Sequence, residues 1–267
     1  MVVSKFQRTS SRRISLESLV PLGTFQQLYH RYYRAVVQLS GRNALGEHAS
    51  ATAFHIGDGI FVTARHVADE LVDRRLSTSN GLVEPYHQVD FTDQDIDVAL
   101  LLVDPTDLDP AQRDVYVAVP LALNELVDRS CMLERVLVMG YPRVPMSASA
   151  ELVAATGEII AIVDTIVPRN GPSIVISQLP RGGLSGSPVL DASGNLQGVV
   201  VDSLSDADLP YELGYTAAIT VESILRLLVG INHMPRSLSG DDWSTFTNAL
   251  FPLGVSSIEV PPPPTTE

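Results

Sequence analysis

Short apolar runs separated by turn residues dominate the middle of the chain. They are rich in valine and isoleucine and follow one another at hairpin distances, beginning at Ala35–Leu39 and continuing through "ATAFHI", "GIFVTA", "HQVDFT", "DVALLLV", "RVLVMG", "ELVAATGEIIAIV", "SIVISQL", "SPVL", "LQGVVV" and "YTAAIT". Tight-turn sequences such as "GDG" and "DASGN" lie between the runs, and their glycine, asparagine and aspartate favour sharp reversals. Many short strands with few helices predict an all-β protein made of antiparallel barrels or a sandwich.

Helical periodicity occurs in only three short segments. "TFQQLYHRYY" predicts a helix before the first strand, and "HVADELVDRR" predicts another after Ala64. The third, "TVESILRLLVG", has apolar positions on one face, with Thr220 as the expected N-cap and Gly230 as the expected end.

The pattern divides the chain into three parts. Residues 1–24 are polar and basic and predict a flexible arm. Residues 25–231 contain the apolar runs and predict one domain, with an N-terminal half at about 34–120 and a C-terminal half at about 130–220. Residues 232–267 predict a tail that ends in the proline-rich, extended segment "VPPPPTTE".

Composition and charge restrict the classes of partner. The chain of 267 residues has 45% hydrophobic residues and a formal net charge of −13. Residues 1–42 hold seven basic side chains and one acidic side chain, a net of +6, which leaves −19 for residues 43–267. An acidic body is a poor partner for nucleic acid, whose binding depends on neutralising phosphates. No apolar run approaches the roughly 18 residues of a membrane span, so no membrane association is expected.

Cysteine and histidine usage adds two expectations. With one cysteine, Cys131, no intramolecular disulfide can form, and the start of the chain lacks the apolar core of a secretory signal. Both features favour the cytoplasm. The histidines show no zinc-ligand spacing, so we expect no metal site.

Three motifs carry residues suited to nucleophilic acyl transfer. They place His66 in "FVTARHVADEL", Asp97 in "DQDIDVALLLV" and Ser185 in "RGGLSGSPVL". The reaction needs a hydroxyl, a base that takes its proton and a carboxylate that orients the base. Each residue alone also has a structural interpretation, as a helix-start histidine, a strand-edge or capping aspartate and a turn serine. Asp93 and Asp95 compete with Asp97, which is favoured because it directly precedes "VALL".

Taken together, the motifs resemble those of a known family. "TARHV", "DVALL" and "GLSGSPV", in this order, with the three residues separated by 31 and 88 positions, resemble the trypsin-like (chymotrypsin-fold) serine proteases. The resemblance is to their disulfide-free bacterial branch, which includes Deg-type and V8-like endopeptidases. It implies two packed six-stranded antiparallel β-barrels, a short C-terminal helix, and a protease domain at residues 25–231.

The resemblance also implies a function and its residues. The expected activity is that of a serine endopeptidase that hydrolyses protein or peptide substrates through an acyl-enzyme, with no cofactor. Ser185 would be the nucleophile, His66 the general base and Asp97 the carboxylate that orients it. The N–H groups of Gly183 and Ser185 would form the oxyanion hole.

Two departures from the trypsin pattern affect activation and specificity. Leu184 precedes the nucleophile where secreted enzymes have an aspartate that pairs with a newly freed N-terminus, so that mode of activation is excluded. Leu179 occupies the position implied to form the floor of the primary pocket, and Thr216 and Ala217 would line its wall. Without an acid there, we expect a preference for small or apolar side chains rather than Lys or Arg.

Two further hypotheses remain open on the sequence alone. The fold could serve as a peptide-binding module without catalytic activity, although all three chemical groups are present. The protease could also be regulated by a separate partner protein.

Overall fold

The computed structural model describes residues 23–91, 96–117, 119, 131–164, 172–178, 182–204, 215–233, 235 and 260–264. Nearly all of the expected basic arm and most of the expected C-terminal tail lie outside these residues. None of the helices in the described part of the chain has the length and apolar character needed to span a bilayer.

Seven antiparallel strands from the N-terminal half form one sheet. Their bounds are β1 Val36–Arg42, β2 His48–Gly57, β3 Ile60–Thr63, β4 Val72–Thr78, β5 Gly81–Val83, β6 His87–Asp90 and β7 Ala99–Leu102. Within the sheet the order is β5-β4-β1-β2-β3-β7-β6. The long β1–β2 hairpin forms its centre, with Val36 paired to Phe54 and Arg42 to His48.

The expectation of two closed six-stranded barrels is wrong for this half, because β5 and β6 are edges of an open sheet in the described residues. The two strands have three and four residues, which offers few backbone groups for a closing ladder. Side chains, rather than a backbone ladder, connect β4 with β6. The Arg74 guanidinium, on β4, donates to Gln88 Oε1 on β6 and to the Ala68 carbonyl. The sheet therefore curves into a half-barrel.

The C-terminal half forms the closed barrel that the sequence predicts. It has six strands, in the order β10-β13-β12-β11-β8-β9. Their bounds are β8 Arg135–Gly140, β9 Val153–Asp164, β10 Pro172–Ile176, β11 Pro188–Leu190, β12 Leu196–Leu204 and β13 Tyr215–Thr220.

Helices are short and lie mostly at the ends of strands. Their bounds are α1 Thr24–Tyr32, α2 Arg65–Glu70, α3 Pro110–Arg113 and α4 Glu222–Gly230, with a 3₁₀ turn at Pro105–Asp107. Helix α4 confirms the predicted C-terminal helix and its end at Gly230. Its N-cap is Val221 rather than Thr220, which belongs to β13.

The core follows the two-residue alternation of the strands. Val37 and Leu39 of β1 face the interior of the first sheet, whereas Val36 faces a shared core between the two halves. On the barrel side, Leu137 and Met139 of β8 enter the same shared core, and the alternate residues of β8 fill the barrel. The shared core thus joins the two halves.

Candidate active site

The structure brings His66 and Asp97 into direct contact. Asp97 Oδ2 lies 2.6 Å from His66 Nδ1, and the His66 backbone N–H donates to Asp97 Oδ1 at 2.7 Å. A carboxylate accepts hydrogen bonds and does not donate them, so Nδ1 carries a ring hydrogen, and in the neutral imidazole the lone pair is then on Nε2. The His66 side chain is 47% exposed and that of Asp97 is 22% exposed, which leaves the pair open to solvent on the imidazole side.

Local structure explains why this pair forms. His66 is the second residue of α2, whose N-cap is Ala64, a residue with no side-chain oxygen to bond the first-turn N–H groups. Asp97 supplies that acceptor from two residues before β7, and Ile96 and Val98 on either side of it are buried. The capping contact and the ring contact therefore hold His66 at two points.

A second anchor holds α2 against the sheet edge. Arg65 Nε lies 3.3 Å from carboxylate oxygens of both Asp69 and Asp90, and its Nη1 donates to the Phe91 carbonyl at 3.0 Å. The Asp69 carboxylate in turn accepts from Gln88 Nε2 at 2.7 Å. These contacts fix the helix that carries His66 to strand β6.

Ser185 lies on a sharp bend just before β11. Gly183 and Gly186 on either side have φ of +95° and +85°, a region that L side chains rarely adopt. A Cβ on Gly183 would also lie 2.6 Å from the Tyr141 carbonyl oxygen. Ser185 is partly exposed between buried Leu184 and buried Gly186.

Backbone hydrogen bonds fix this bend on both sides. The Ser185 carbonyl accepts from Thr52 N–H at 3.0 Å, Gly186 N–H donates to the Val200 carbonyl at 2.7 Å, and the Gly182 carbonyl accepts from Arg143 N–H at 3.3 Å. Within the described residues, neither Gly183 N–H nor Ser185 N–H donates to another backbone group. The bend is therefore rigid and offers two backbone donors.

The serine bend contacts the half of the molecule that carries His66. Gly186 packs against the Thr52 carbonyl and the Thr63 hydroxyl so closely that no Cβ would fit. Thr63 ends β3, three residues before His66. The bend and the His66–Asp97 pair thus lie at the junction of the open sheet and the barrel.

The expected pocket residues are only partly described. Thr216 and Ala217 are buried on β13, and the Thr216 hydroxyl donates to the Gln178 carbonyl at 2.9 Å. Leu179 lies outside the described residues. Leu184 packs in the apolar core of the barrel and is 3% exposed, so an apolar contact anchors the residue before the serine.

Two residues near the serine bend were not singled out from the sequence. Thr52 is a fully buried threonine in the mostly apolar run "ATAFHI", and a polar residue at such a position is the signal that the sequence offers. Ser187 is also fully buried, and its hydroxyl has no hydrogen-bond partner in the described part of the structure. Among the described residues, no group of three or more His, Cys, Asp or Glu side chains is placed to hold a metal ion.

Comparison with protein families identifies the class. The family model described as the trypsin-like peptidase domain matches residues 51–199, more than half of the chain and a range that includes His66, Asp97 and Ser185. The chain belongs to this family. A comparison with curated proteins found no significant match.

Solved structures with the same fold are also proteases. The Rv3671c protease from M. tuberculosis in its active form is 18% identical, with a TM-score of 0.60 over 88% of this chain and 96% of that chain. The HtrA-type protease AlgW with tripeptide is 19% identical, with a TM-score of 0.59 over 78% of this chain.

A serine endoprotease from Yersinia pestis is 20% identical, with a TM-score of 0.54 over 79% of this chain and 66% of that chain. This chain spans 63% of the AlgW chain. At these sequence identities the similarity shows a trypsin-like fold and nothing further.

Proposed function

We propose that the protein is a serine endopeptidase that cleaves peptide bonds through an acyl-enzyme formed on Ser185. The observation that carries the proposal is the double contact of Asp97 with His66, which in the neutral imidazole puts the ring hydrogen on Nδ1 and leaves the lone pair on Nε2. This is the tautomer that a general base needs in order to accept a hydroxyl proton.

The reaction divides into two half-reactions. Ser185 Oγ attacks the carbonyl carbon of the substrate while His66 Nε2 takes the hydroxyl proton. The C–N bond then breaks as His66 returns that proton to the leaving amine, and the acyl group stays on Ser185. Water attacks the acyl-enzyme with His66 again as base, which releases the carboxylic acid and restores the Ser185 hydroxyl.

The backbone of the serine bend suits the stabilisation of the oxyanion. Gly183 N–H and Ser185 N–H have no backbone acceptor within the described residues, and the bonds around them fix the bend before any substrate binds. Donors that are already oriented lose little energy in reorganising as charge develops on the substrate oxygen.

Peptidase kinetics test the proposal. Ser185→Ala and His66→Ala are expected to abolish hydrolysis of a casein-derived fluorogenic substrate, and Asp97→Asn to lower kcat by about 10⁴-fold, as when the orienting carboxylate is lost in other triads. Melting temperatures near that of the unmodified protein would show that each variant is folded. Undiminished hydrolysis by folded Ser185→Ala would contradict the proposal.

For specificity, we propose a preference for small or apolar residues on the acyl side of the cleaved bond. Thr216 and Ala217 contribute no charge to the wall of the implied pocket, and the Thr216 hydroxyl is already bonded to the Gln178 carbonyl. A fluorogenic peptide library that varies this one residue measures the preference. Preferential cleavage after Arg or Lys would refute it.

The peptide-binding module without activity is the competing function. It predicts binding of extended peptides with no turnover and equal affinity for the unmodified protein and Ser185→Ala. Regulation by a partner protein and a cytoplasmic location stay predictions from the sequence.

A further inference from the structure

Thr52 makes four hydrogen bonds at the junction of the two halves. Its hydroxyl donates to the Gly183 carbonyl at 2.8 Å and accepts from Tyr141 N–H at 2.9 Å. Its backbone N–H donates to the Ser185 carbonyl at 3.0 Å, and its carbonyl accepts from the Thr63 hydroxyl at 2.8 Å. The residue is fully buried on β2, so water cannot replace these partners.

The hydroxyl is the essential group in this arrangement. A hydroxyl donates and accepts at the same time, which is what the Gly183 carbonyl and the Tyr141 N–H require from one buried atom. Valine has nearly the same shape but would leave both backbone groups unpaired. The two bonds made by the Thr52 backbone would survive that substitution, so the hydroxyl can be tested separately.

Both peptide units flanking Gly183 are held from outside the bend. Arg143 N–H bonds the Gly182 carbonyl, and the Thr52 hydroxyl bonds the Gly183 carbonyl. In a trans peptide the carbonyl and the N–H point in opposite directions, so fixing the Gly182 carbonyl fixes the direction of Gly183 N–H. Glycine by itself would permit rotation about φ and ψ at this position. The two bonds remove that freedom.

Thr52 also connects the two halves of the proposed site. It belongs to the open sheet of the N-terminal half, which also carries His66 on α2 and Asp97 just before β7, while Gly183 and Ser185 belong to the bend that leads into the barrel. A single side chain therefore spans the junction between the base and the proposed oxyanion donors.

We propose that Thr52 is a positioning residue. Its hydroxyl holds the Gly183–Leu184 peptide and thereby fixes the rotation at Gly183, whose N–H, on the peptide that Arg143 holds, then faces the developing oxyanion. This inference rests on the proposed peptidase function. Because the oxyanion forms only after substrate has bound, loss of the hydroxyl should lower kcat and change KM little. Affinity for a peptide aldehyde, which forms a tetrahedral adduct with the serine, should fall with kcat.

The variants Thr52→Ser and Thr52→Ala separate the hydroxyl from the methyl group, since both lack the methyl and only serine keeps the hydroxyl. We expect kcat of Thr52→Ala to be at least about tenfold below that of Thr52→Ser, with KM within about twofold and aldehyde inhibition weakened by the factor seen in kcat. Thr52→Val should resemble Thr52→Ala. Thr220→Val, at a buried threonine at the end of β13 that pairs with Gly198, is the matched control and should leave kcat unchanged.

The outcomes distinguish failure of this inference from failure of the proposed peptidase function. If the unmodified protein is folded but neither turns over peptides nor binds the aldehyde, the proposed function fails. If it is active and Thr52→Ala equals Thr52→Ser in kcat and aldehyde affinity, only the positioning role is overturned. If Thr52→Ala does not fold, the comparison of the unmodified protein with Thr52→Val decides. Failure of both to fold would assign Thr52 a structural role and overturn the inference.

Discussion

Lowering the pH should destabilise the fold through His55, a buried histidine outside the proposed catalytic residues. His55 is 0% exposed on β2. Its Nε2 accepts from Gly59 N–H at 3.2 Å, its Nδ1 lies 3.0 Å from the Val115 carbonyl, and its ring stacks on Phe61. These partners fit a neutral imidazole with its hydrogen on Nδ1. Protonation at Nε2 would oppose the Gly59 N–H.

The direction of the effect follows from the pKa of His55, which burial lowers from its ordinary value of 6.5. Below about pH 6.5 the unfolded chain binds a proton at His55 that the folded chain does not. The stabilisation is therefore complete above that pH and declines as the pH falls toward the lowered pKa. One such group contributes a slope of at most about 1.4 kcal/mol per pH unit to the free energy of unfolding.

Urea unfolding followed by far-ultraviolet circular dichroism between about pH 5 and 7 measures this slope. His55→Gln cannot titrate but offers an oxygen to Gly59 N–H, and is expected to cost about 1–3 kcal/mol at neutral pH because the Val115 carbonyl loses its partner. Below about pH 6.5 its slope should be shallower than that of the unmodified protein by up to one proton. Equal slopes in the two proteins would refute the reasoning.

Three further substitutions test the packing around the site. Leu184→Ala should lower the free energy of unfolding by about 2–4 kcal/mol because it opens a cavity in the barrel core. Leu184→Met should cost less than about 1.5 kcal/mol. Equal losses for the two variants in urea unfolding would contradict the burial of Leu184. Ser187→Ala removes a buried hydroxyl without a partner in the described residues, so it should raise the melting temperature by an amount equivalent to roughly 1 kcal/mol of stability. A clear decrease in melting temperature would show that the hydroxyl is bonded. Arg74→Met should speed amide hydrogen exchange in β6, since it removes the side-chain bridge to Gln88, and unchanged exchange would show that the bridge is dispensable.

Strands with buried, apolar patterns were predictable from the sequence, whereas the exposed strand β4 was not. "RVLVMG" and "YTAAIT" coincide with β8 and β13, because burial of these strands requires apolar residues that are visible in the sequence. The predicted helix "HVADELVDRR" is wrong beyond Glu70, where α2 ends, because its last four residues form the first part of strand β4, in which only Leu76 is buried. A surface strand of this kind forms because of the strands beside it, and the periodicity of its own sequence carries no information about them.

For the candidate site, too, contacts between residues distant in sequence could not be predicted. The contact of Asp97 with His66 agrees with its position directly before a buried strand, while Asp93 and Asp95 lie outside the described residues. The Thr52–Gly183 bond joins residues 131 positions apart, so no local sequence pattern predicts it. The open edge of the first sheet likewise depends on how β4 and β6 meet through Arg74, a long-range relation.

Covalent labelling tests the central claim most directly. The protein is treated with a fluorophosphonate, and the modified residue is located by mass spectrometry of the digested chain, with folded Ser185→Ala as the control. The proposed chemistry predicts one adduct on Ser185, its loss in Ser185→Ala, and strongly slowed labelling in Asp97→Asn, where His66 is no longer held as a base. Equal labelling of Ser185→Ala, or an adduct on another residue, would contradict the assignment of Ser185 as the nucleophile.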